Sequence, residues 1–99
     1  MRVFEGHGSK KRPALIVSSP PYPAGREEVI VAAITSHARR LRFADTTLDR
    51  WKTAGLLFPS VVTGIIRTIK ADLIARKLGA LTKQDLQQVH QHLKNALGF

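Results

Sequence analysis

Residues 9–19 read SKKRPALIVSS, and this stretch marks where the predicted β-sheet begins. Lys10, Lys11 and Arg12 stop at a proline, and an apolar run follows at once. A short run of apolar and β-branched residues bounded by turn residues favours a buried strand, which we place at residues 14–18. The three cations therefore stand at the start of this strand, where they form either a solvated turn or a binding site for an anion.

More apolar segments separated by turn residues follow along the chain. Residues 28–35 form a second apolar run, and residues 40–44 alternate strictly, with Leu41 and Phe43 on one face of a half-buried strand. Further short strands are predicted at residues 55–62, 64–69 and 73–78. Residues 1–12 are polar and contain glycine, which predicts a loop.

The hydrophobic period changes to that of a helix over residues 82–97. Its apolar positions recur at three- and four-residue intervals: Leu86, Val89, Leu93, Ala96 and Leu97. Thr82, with Asp85 three residues later, resembles a capping box, and Gly98 is a typical helix end. Five or six short strands followed by one amphipathic helix predict an α+β, mainly β fold, a small barrel or sandwich in one domain over residues 1–99.

The composition favours a polyanionic partner and a reducing compartment. The 99 residues include 16 Lys and Arg against 7 Asp and Glu, a net charge of +9, which favours nucleic acid or an acidic protein as partner. The absence of cysteine excludes disulfides and cysteine-based zinc sites and is typical of a cytoplasmic protein. The apolar runs are too short to span a bilayer, and no signal-peptide pattern is present, so no membrane contact is predicted.

The histidines give no metal-binding pattern. His90 and His92 stand two apart on a helix, so they point to different faces and cannot share one ion. His7 and His37 have no histidine or carboxylate at ligand spacing, and the sequence has no phosphate-binding loop and no nucleophile elbow. The sequence therefore predicts neither a metal nor a cofactor.

Cations and hydroxyls gather at the ends of two predicted strands. Arg12 precedes one strand, and Thr35 and Ser36 end the next. A metal-free ribonuclease needs a base for the ribose 2′-OH, a cation for the pentacoordinate phosphate and an acid for the leaving 5′-oxygen. Guanidinium suits phosphate because its planar fork matches two oxygens. Spacing alone fits a solvated arginine and ordinary turn residues as well.

Four segments occur in an order that resembles the MazF/PemK (Kid-like) family of type II toxin-antitoxin endoribonucleases: KKRPALIVS, VAAITS, AGLLFPSVV and LIARKLGALTKQDLQQVHQHL. The resemblance covers residues 10–97. It implies an SH3-like or CcdB-like barrel with a C-terminal helix, acting as a homodimer. It implies metal-independent cleavage of single-stranded RNA, including mRNA, by 2′-OH attack, which leaves 2′,3′-cyclic phosphate ends. It also implies an acidic antitoxin in a bacterial cytoplasm, with DNA bound only through that antitoxin.

The resemblance implies a role for particular residues. Arg12 falls on the family's catalytic arginine, and Thr35 on the threonine that holds the scissile phosphate. His7 or Glu5 stands where relatives carry an acid or a histidine, and histidine suits acid–base work because it titrates near neutral pH. The predicted RNA-binding residues are Lys10, Lys11, Ser36, Arg40 and Arg42. Trp51, in a polar turn, is expected to anchor that loop or the dimer interface, or alternatively to stack on a base.

Two departures from the family leave a second interpretation open. Only Val3 and Phe4 can represent the family's first strand, so that strand is predicted to be truncated, with an edge of the barrel left uncovered. Residues 60–61 are Ser-Val, where relatives often carry Asp-Gln. These departures favour a catalytically degenerate or CcdB-like module that binds RNA, antitoxin or a topoisomerase without cleaving RNA. The enzyme interpretation requires that Arg12 and Thr35 lie at the same end of the barrel.

Overall fold

One curled sheet and one helix make up the computed structural model, which describes residues 2–6, 12–17, 28–37, 40–70 and 73–98. The strands are β1 (Arg2–Gly6), β2 (Pro13–Ile16), β3 (Glu28–Thr35), β4 (Thr46–Thr47), β5 (Val61–Lys70) and β6 (Ile74–Ala80), and helix α1 is Lys83–Leu97. All pairs are antiparallel, in the order β4-β5-β3-β2-β1-β6, and the sheet forms a half-barrel. The predicted mainly β fold with a C-terminal helix is confirmed.

The core lies inside the curl of the sheet and is closed by the helix. Val3, Leu15, Val62 and Val89 are its largest fully buried side chains, and they come from β1, β2, β5 and α1. Leu93 is buried one helical turn after Val89, and Leu86 is half-buried, so this part of the predicted apolar stripe packs on the sheet. Ala96 and Leu97, predicted to belong to the same stripe, are exposed at the end of the helix. Each such side chain contributes roughly 1.5–3 kcal/mol when it leaves water, and long-range packing therefore dominates the fold.

The position of β1 shows that two predictions were wrong. Residues 2–6 form a strand where a loop was predicted, and this strand leaves no edge of the sheet uncovered at β2. All five residues of β1 pair with β6 on one side, and three of them pair with β2 on the other. Val3 and Phe4 are both buried, and the β1–β6 register shifts between them. A bulge at this point interrupts the simple alternation that sequence patterns rely on. The strand is short, yet it occupies an interior place in the sheet.

Residues 40–44, predicted as a strand, form a turn instead. The Asp45 carboxylate accepts a hydrogen bond from the Arg42 N–H at 2.9 Å, and the Asp45 N–H donates to the Arg42 carbonyl at 3.0 Å. Local bonds of this kind compete with a sheet ladder. Leu41 and Phe43 are consequently 58% and 76% exposed, where the alternating pattern predicted burial.

The predicted strand at residues 55–62 is wrong over most of its length, since this segment lies in turns and irregular chain against β6. Gly55 has a φ of +84°, and a Cβ added there would lie 2.0 Å from the Leu78 carbonyl oxygen. A Cβ added at Gly79 would lie 2.5 Å from the Ala54 carbonyl oxygen. The two backbones thus touch where only glycine fits, and this contact joins the segment before β5 to β6.

The strand predicted at residues 64–69 is part of a longer strand, β5, which carries a bulge. The β3–β5 register shifts around Ala33, where three residues of β5 face one residue of β3. The Thr63 hydroxyl donates to the Ala33 carbonyl at 2.8 Å and accepts from the Ile65 N–H at 3.2 Å. The side chain therefore supplies the hydrogen bonds that the ladder loses at the bulge.

The N-terminus of α1 confirms the predicted cap, but the acidic residue has a different role. The Thr82 hydroxyl accepts a hydrogen bond from the Asp85 N–H at 3.3 Å, and Gly98 ends the helix at a φ of 80°. Asp85 is buried, and its carboxylate accepts bonds from the N–H groups of Asp49 at 3.2 Å and Arg50 at 3.0 Å. Asp85 therefore fastens the turn after β4 to the helix.

Replacing Asp85 with alanine is expected to lower the free energy of unfolding by about 1.5–3 kcal/mol, because two part-buried N–H groups lose a charged acceptor. Thr82→Ala, which removes only the cap, is expected to cost about 1 kcal/mol. Urea unfolding followed by circular dichroism measures both. A loss for Asp85→Ala no larger than for Thr82→Ala would contradict this role of the carboxylate.

Candidate functional site

The half-barrel has a pocket of about 900 Å³. Its walls come from the ends of β1, β2 and β3, from the segment before β5, and from residues of β5 and β6. The polar side chains that line it are Glu5, Arg12, Thr35, Ser36, His37, Ser60, Thr63 and Arg76. The pocket therefore collects most of the strand-end polar groups that the sequence singled out.

Arg12 and Thr35 lie at the same end of the sheet. In the β2–β3 ladder, Ala14 pairs with Ala33, and continuing this register outward by two residues sets Arg12 level with Thr35. Both residues line the pocket, and Arg12 is exposed while Thr35 is half-buried. The geometric requirement of the enzyme interpretation is met, and the catalytic roles of the two residues stay predictions.

Thr35 is held by a local hydrogen bond at the end of β3. Its hydroxyl oxygen accepts from the His37 N–H at 3.1 Å, which fixes the turn where the strand ends. Because a hydroxyl has one hydrogen and two lone pairs, Thr35 can accept this bond and still donate to a phosphate oxygen. Ser36 and His37 are exposed beside it in the same pocket.

Sequence reasoning missed a second guanidinium in the pocket. Arg76 on β6 stands opposite Glu5 on β1, and its Nε lies 3.5 Å from the Glu5 carboxylate. The Glu5 side chain is 20% exposed and that of Arg76 is 70% exposed, so the pair contributes little stability. Its importance is positional, because it brings a carboxylate and another cation to the pocket that holds Arg12. No local pattern marks Arg76, since only the sheet order brings β6 next to β1.

The other predicted site residues fall into two groups. Arg40 and Arg42 are exposed in the turn after β3 and do not line the pocket. His7, Lys10 and Lys11 lie outside the described residues. The RNA-binding role of Arg40 and Arg42 therefore stays a prediction for a surface outside the pocket.

The pocket also has exposed apolar residues in its lining. Leu57, Phe58 and Ile65 line it and are 84%, 63% and 56% exposed. Trp51 has a different setting, because it is half-buried against the core, with the Lys52 Nζ 5.4 Å from its ring centroid. This packing favours the interpretation of Trp51 as an anchor of its loop.

No group of three or more His, Cys, Asp and Glu residues in the described ranges has an arrangement that can hold a metal ion. Among the same residues, no helix combines the length and apolar character needed to cross a membrane.

The chain is similar to known toxins in both sequence and structure. Residues 2–97 match the family described as PemK-like, MazF-like toxin of type II toxin-antitoxin system. The Mycobacterium tuberculosis toxin MazF-mt6 is 26% identical, with a TM-score of 0.84, over 100% of this chain and 98% of that one. No curated protein matches the sequence.

Two complexes are similar at lower identity, where the likeness shows the fold alone. An endoribonuclease in complex with its cognate antitoxin from a mycobacterial species is 23% identical, with a TM-score of 0.81, over 99% of this chain and 92% of that chain. A MazE–MazF structure from Deinococcus radiodurans is 21% identical, with a TM-score of 0.77, over 99% and 91% of the two chains. Because the family match spans residues 2–97, the chain belongs to the PemK-like, MazF-like toxins of type II toxin-antitoxin systems.

Proposed function

We propose that this toxin is a metal-independent endoribonuclease that cleaves single-stranded RNA, including mRNA. The observation that carries the proposal is the shared pocket of Arg12 and Thr35, one an exposed guanidinium and the other a tethered hydroxyl. A guanidinium and a hydroxyl are suited to hold the two non-bridging oxygens of one phosphate. Membership of the toxin family supports the same activity.

The proposed reaction needs no water in its first step. The ribose 2′-oxygen bonds to the adjacent phosphorus while the bond from phosphorus to the 5′-oxygen breaks, which leaves a 2′,3′-cyclic phosphate and a 5′-OH. The 2′-OH proton passes to a base, and the leaving 5′-oxygen takes a proton from an acid. Arg12 stabilises the charge that builds up on the pentacoordinate phosphate, and Thr35 donates a hydrogen bond to it.

Two residues are candidates for the proton transfers. Glu5 lines the pocket, and its carboxylate can accept the 2′-OH proton. His7 stays the candidate that the family resemblance implies. Of the two candidates, Glu5 is the one that lies among the described residues, where its carboxylate is paired with Arg76.

The partners follow from charge and from the family. The net charge of +9 supports binding to the RNA backbone, with Lys10, Lys11, Ser36, Arg40 and Arg42 as contacts that position the strand without reading its sequence. An acidic antitoxin would bind the same positive surface, and DNA would be reached only through it. A chain of 99 residues buries a thin core, which supports a homodimer. We infer a cytoplasmic location, where mRNA and the antitoxin are both present.

The test is cleavage of a long single-stranded RNA by the purified chain in excess EDTA, with analysis of the product ends. We expect discrete cuts with cyclic-phosphate ends. Thr35→Val, which keeps the shape but loses the hydroxyl, is expected to cut roughly tenfold more slowly, because one hydrogen bond to the phosphate is lost. Thr35→Ser keeps the hydroxyl and is expected to retain most of the rate.

A wild-type chain that is folded by circular dichroism and makes no cuts would contradict the proposal. That result would favour the alternative of a binding module that contacts RNA, antitoxin or a topoisomerase without cleavage. Equal rates for Thr35→Val and Thr35→Ser would remove Thr35 from the mechanism while leaving the ribonuclease activity in place.

A further inference from the structure

The exposed apolar residues that line the pocket have no role in the chemistry proposed above. Phe58 and Leu57 are exposed, and they line the same pocket as two arginines and a carboxylate. Exposed apolar groups that cluster beside a polar site are typical of a binding surface. A ligand that fits the whole pocket must therefore join an anionic part to a flat apolar part.

Two hydroxyls that line the pocket, those of Ser60 and Thr63, already donate to backbone carbonyl groups. The Ser60 hydroxyl donates to the Phe58 carbonyl at 2.7 Å, and Ser60 is buried. The Thr63 hydroxyl donates to the Ala33 carbonyl at 2.8 Å. Neither hydroxyl therefore has a hydrogen left to donate to a ligand. The exposed aromatic and aliphatic groups of the lining are left to bind a ligand by apolar contact.

A nucleotide joins the two required parts. Its phosphate carries the negative charge that suits Arg12 and Thr35, and its base is a flat ring with an exposed π-face. Stacking on an aromatic side chain is the common mode by which proteins hold unpaired bases. Leu57 and Ile65 add exposed apolar surface to the lining of the same pocket.

We propose that Phe58 is the stacking platform for the base of a nucleotide next to the scissile phosphate. The inference rests on the proposed ribonuclease function and names a subsite for its substrate. Stacking tolerates every base, because each has a π-face, so this position holds the RNA in place without strict sequence selection. Phe58 is thus a substrate-positioning residue, and its aromatic ring is the essential feature.

The experiment uses the full chain and short RNA–DNA chimeras with a single ribose, so that one bond is cleavable. Phe58→Ala is expected to lower kcat/KM about 5- to 150-fold, the range that corresponds to loss of one stacked base. Phe58→Trp keeps a stacking face, so its kcat/KM is expected to stay near the wild-type value. Phe58→Leu keeps an apolar side chain without a ring, and its kcat/KM is expected to fall as far as that of Phe58→Ala. Phe43→Ala is the matched control, because Phe43 is 76% exposed and does not line the pocket.

Abasic substrates locate the stacked base. A series of chimeras carries one abasic residue at successive positions. Cleavage by the wild-type protein is expected to be slower for the substrate whose abasic residue stands at one position near the cleaved bond. For Phe58→Ala, removing the base at that position is expected to cause no further loss of rate, since ring and base act as one pair. Abasic residues at other positions are expected to slow the variant as much as they slow the wild type. Losses that are additive at every position, or equal rates for Phe58→Ala and wild type, would overturn the proposal.

Two further readouts separate this subsite from the proposed function and from a contact with a second copy. Binding of a non-cleavable 2′-O-methyl RNA is measured by fluorescence anisotropy, and a loss in Phe58→Ala supports the subsite even if the wild type cuts nothing. Cleavage by wild type with no Phe58 dependence in either assay leaves the ribonuclease intact and rejects the subsite. Sedimentation velocity is expected to give equal masses for wild type and Phe58→Ala. A lower mass for the variant would assign Phe58 to a subunit interface and overturn the proposal.

Discussion

Arg12→Ala is expected to slow RNA cleavage about 100- to 1000-fold, the usual effect of removing one group that stabilises transition-state charge. Arg12 is exposed and stands next to β2, so its loss leaves the core intact. Single-turnover cleavage in excess EDTA measures the chemical step directly. Circular dichroism is expected to show an unchanged fold.

Two comparisons make the Arg12 result specific. Arg67→Ala removes an exposed arginine from β5 that does not line the pocket, and it is expected to change the rate only slightly. Arg12→Lys keeps the charge but loses the planar fork, so an intermediate rate is expected. If Arg12→Ala and Arg67→Ala cut equally well, the pocket is not the site of cleavage.

Gly55→Ala is expected to lower the free energy of unfolding by about 2–5 kcal/mol. This figure is the sum of two costs, that of a left-handed backbone conformation for a residue with a Cβ and that of overpacking. The added Cβ would lie 2.0 Å from the backbone oxygen of Leu78, and no rotamer change can relieve a clash with backbone. For a domain of this size the melting temperature is expected to fall by about 10–30 °C. Thermal unfolding followed by circular dichroism measures the change.

Gly98 provides the matched control, because it separates backbone conformation from crowding. It has a φ of +80°, close to that of Gly55, but an added Cβ would meet nothing within 4 Å. Gly98→Ala is therefore expected to cost only about 1–2 kcal/mol. A Gly55→Ala variant no less stable than Gly98→Ala would mean that residues 54–55 and β6 do not touch in solution.

The parts of the fold that could be predicted from the sequence are those with a long, regular pattern. β3 runs over Glu28–Thr35, the predicted span, because its apolar run is unbroken. The helix is capped by Thr82 and Gly98 as predicted, because capping depends on a few neighbouring residues. The resemblance of four ordered segments to one toxin family gave the architecture that the family match and the structure then confirmed.

The errors arise where a distant or local contact overrides the pattern. β1 has only two buried residues around a bulge, which is too short for a recognisable alternation. The alternation of residues 40–44 is real, but the hydrogen bonds between Asp45 and Arg42 favour a turn. The segment before β5 takes its course from Gly55 and the neighbouring β6, a contact that no sequence window contains.

The candidate site was predictable to the extent that it depends on strand ends. Arg12 and Thr35 were identified because each flanks an apolar run, and the ladder between those runs brings them together. Arg76 and Phe58 were missed because they reach the pocket only through the curl of the sheet. The sequence offered Trp51 as a base-stacking aromatic, whereas the structure buries Trp51 in part and exposes Phe58.

The ladder between β2 and β3 has a consequence for how this toxin can vary. Arg12 and Thr35 are matched by backbone pairing and by the buried Leu15, which sits opposite Ala32 in that ladder. The residues between the two strands can therefore change in number without disturbing the match, since longer connections cost little. A single residue lost from within β2 would instead turn its side chains to the opposite face. We therefore expect changes of length to preserve the site when they fall between the two strands and to disrupt it when they fall within β2.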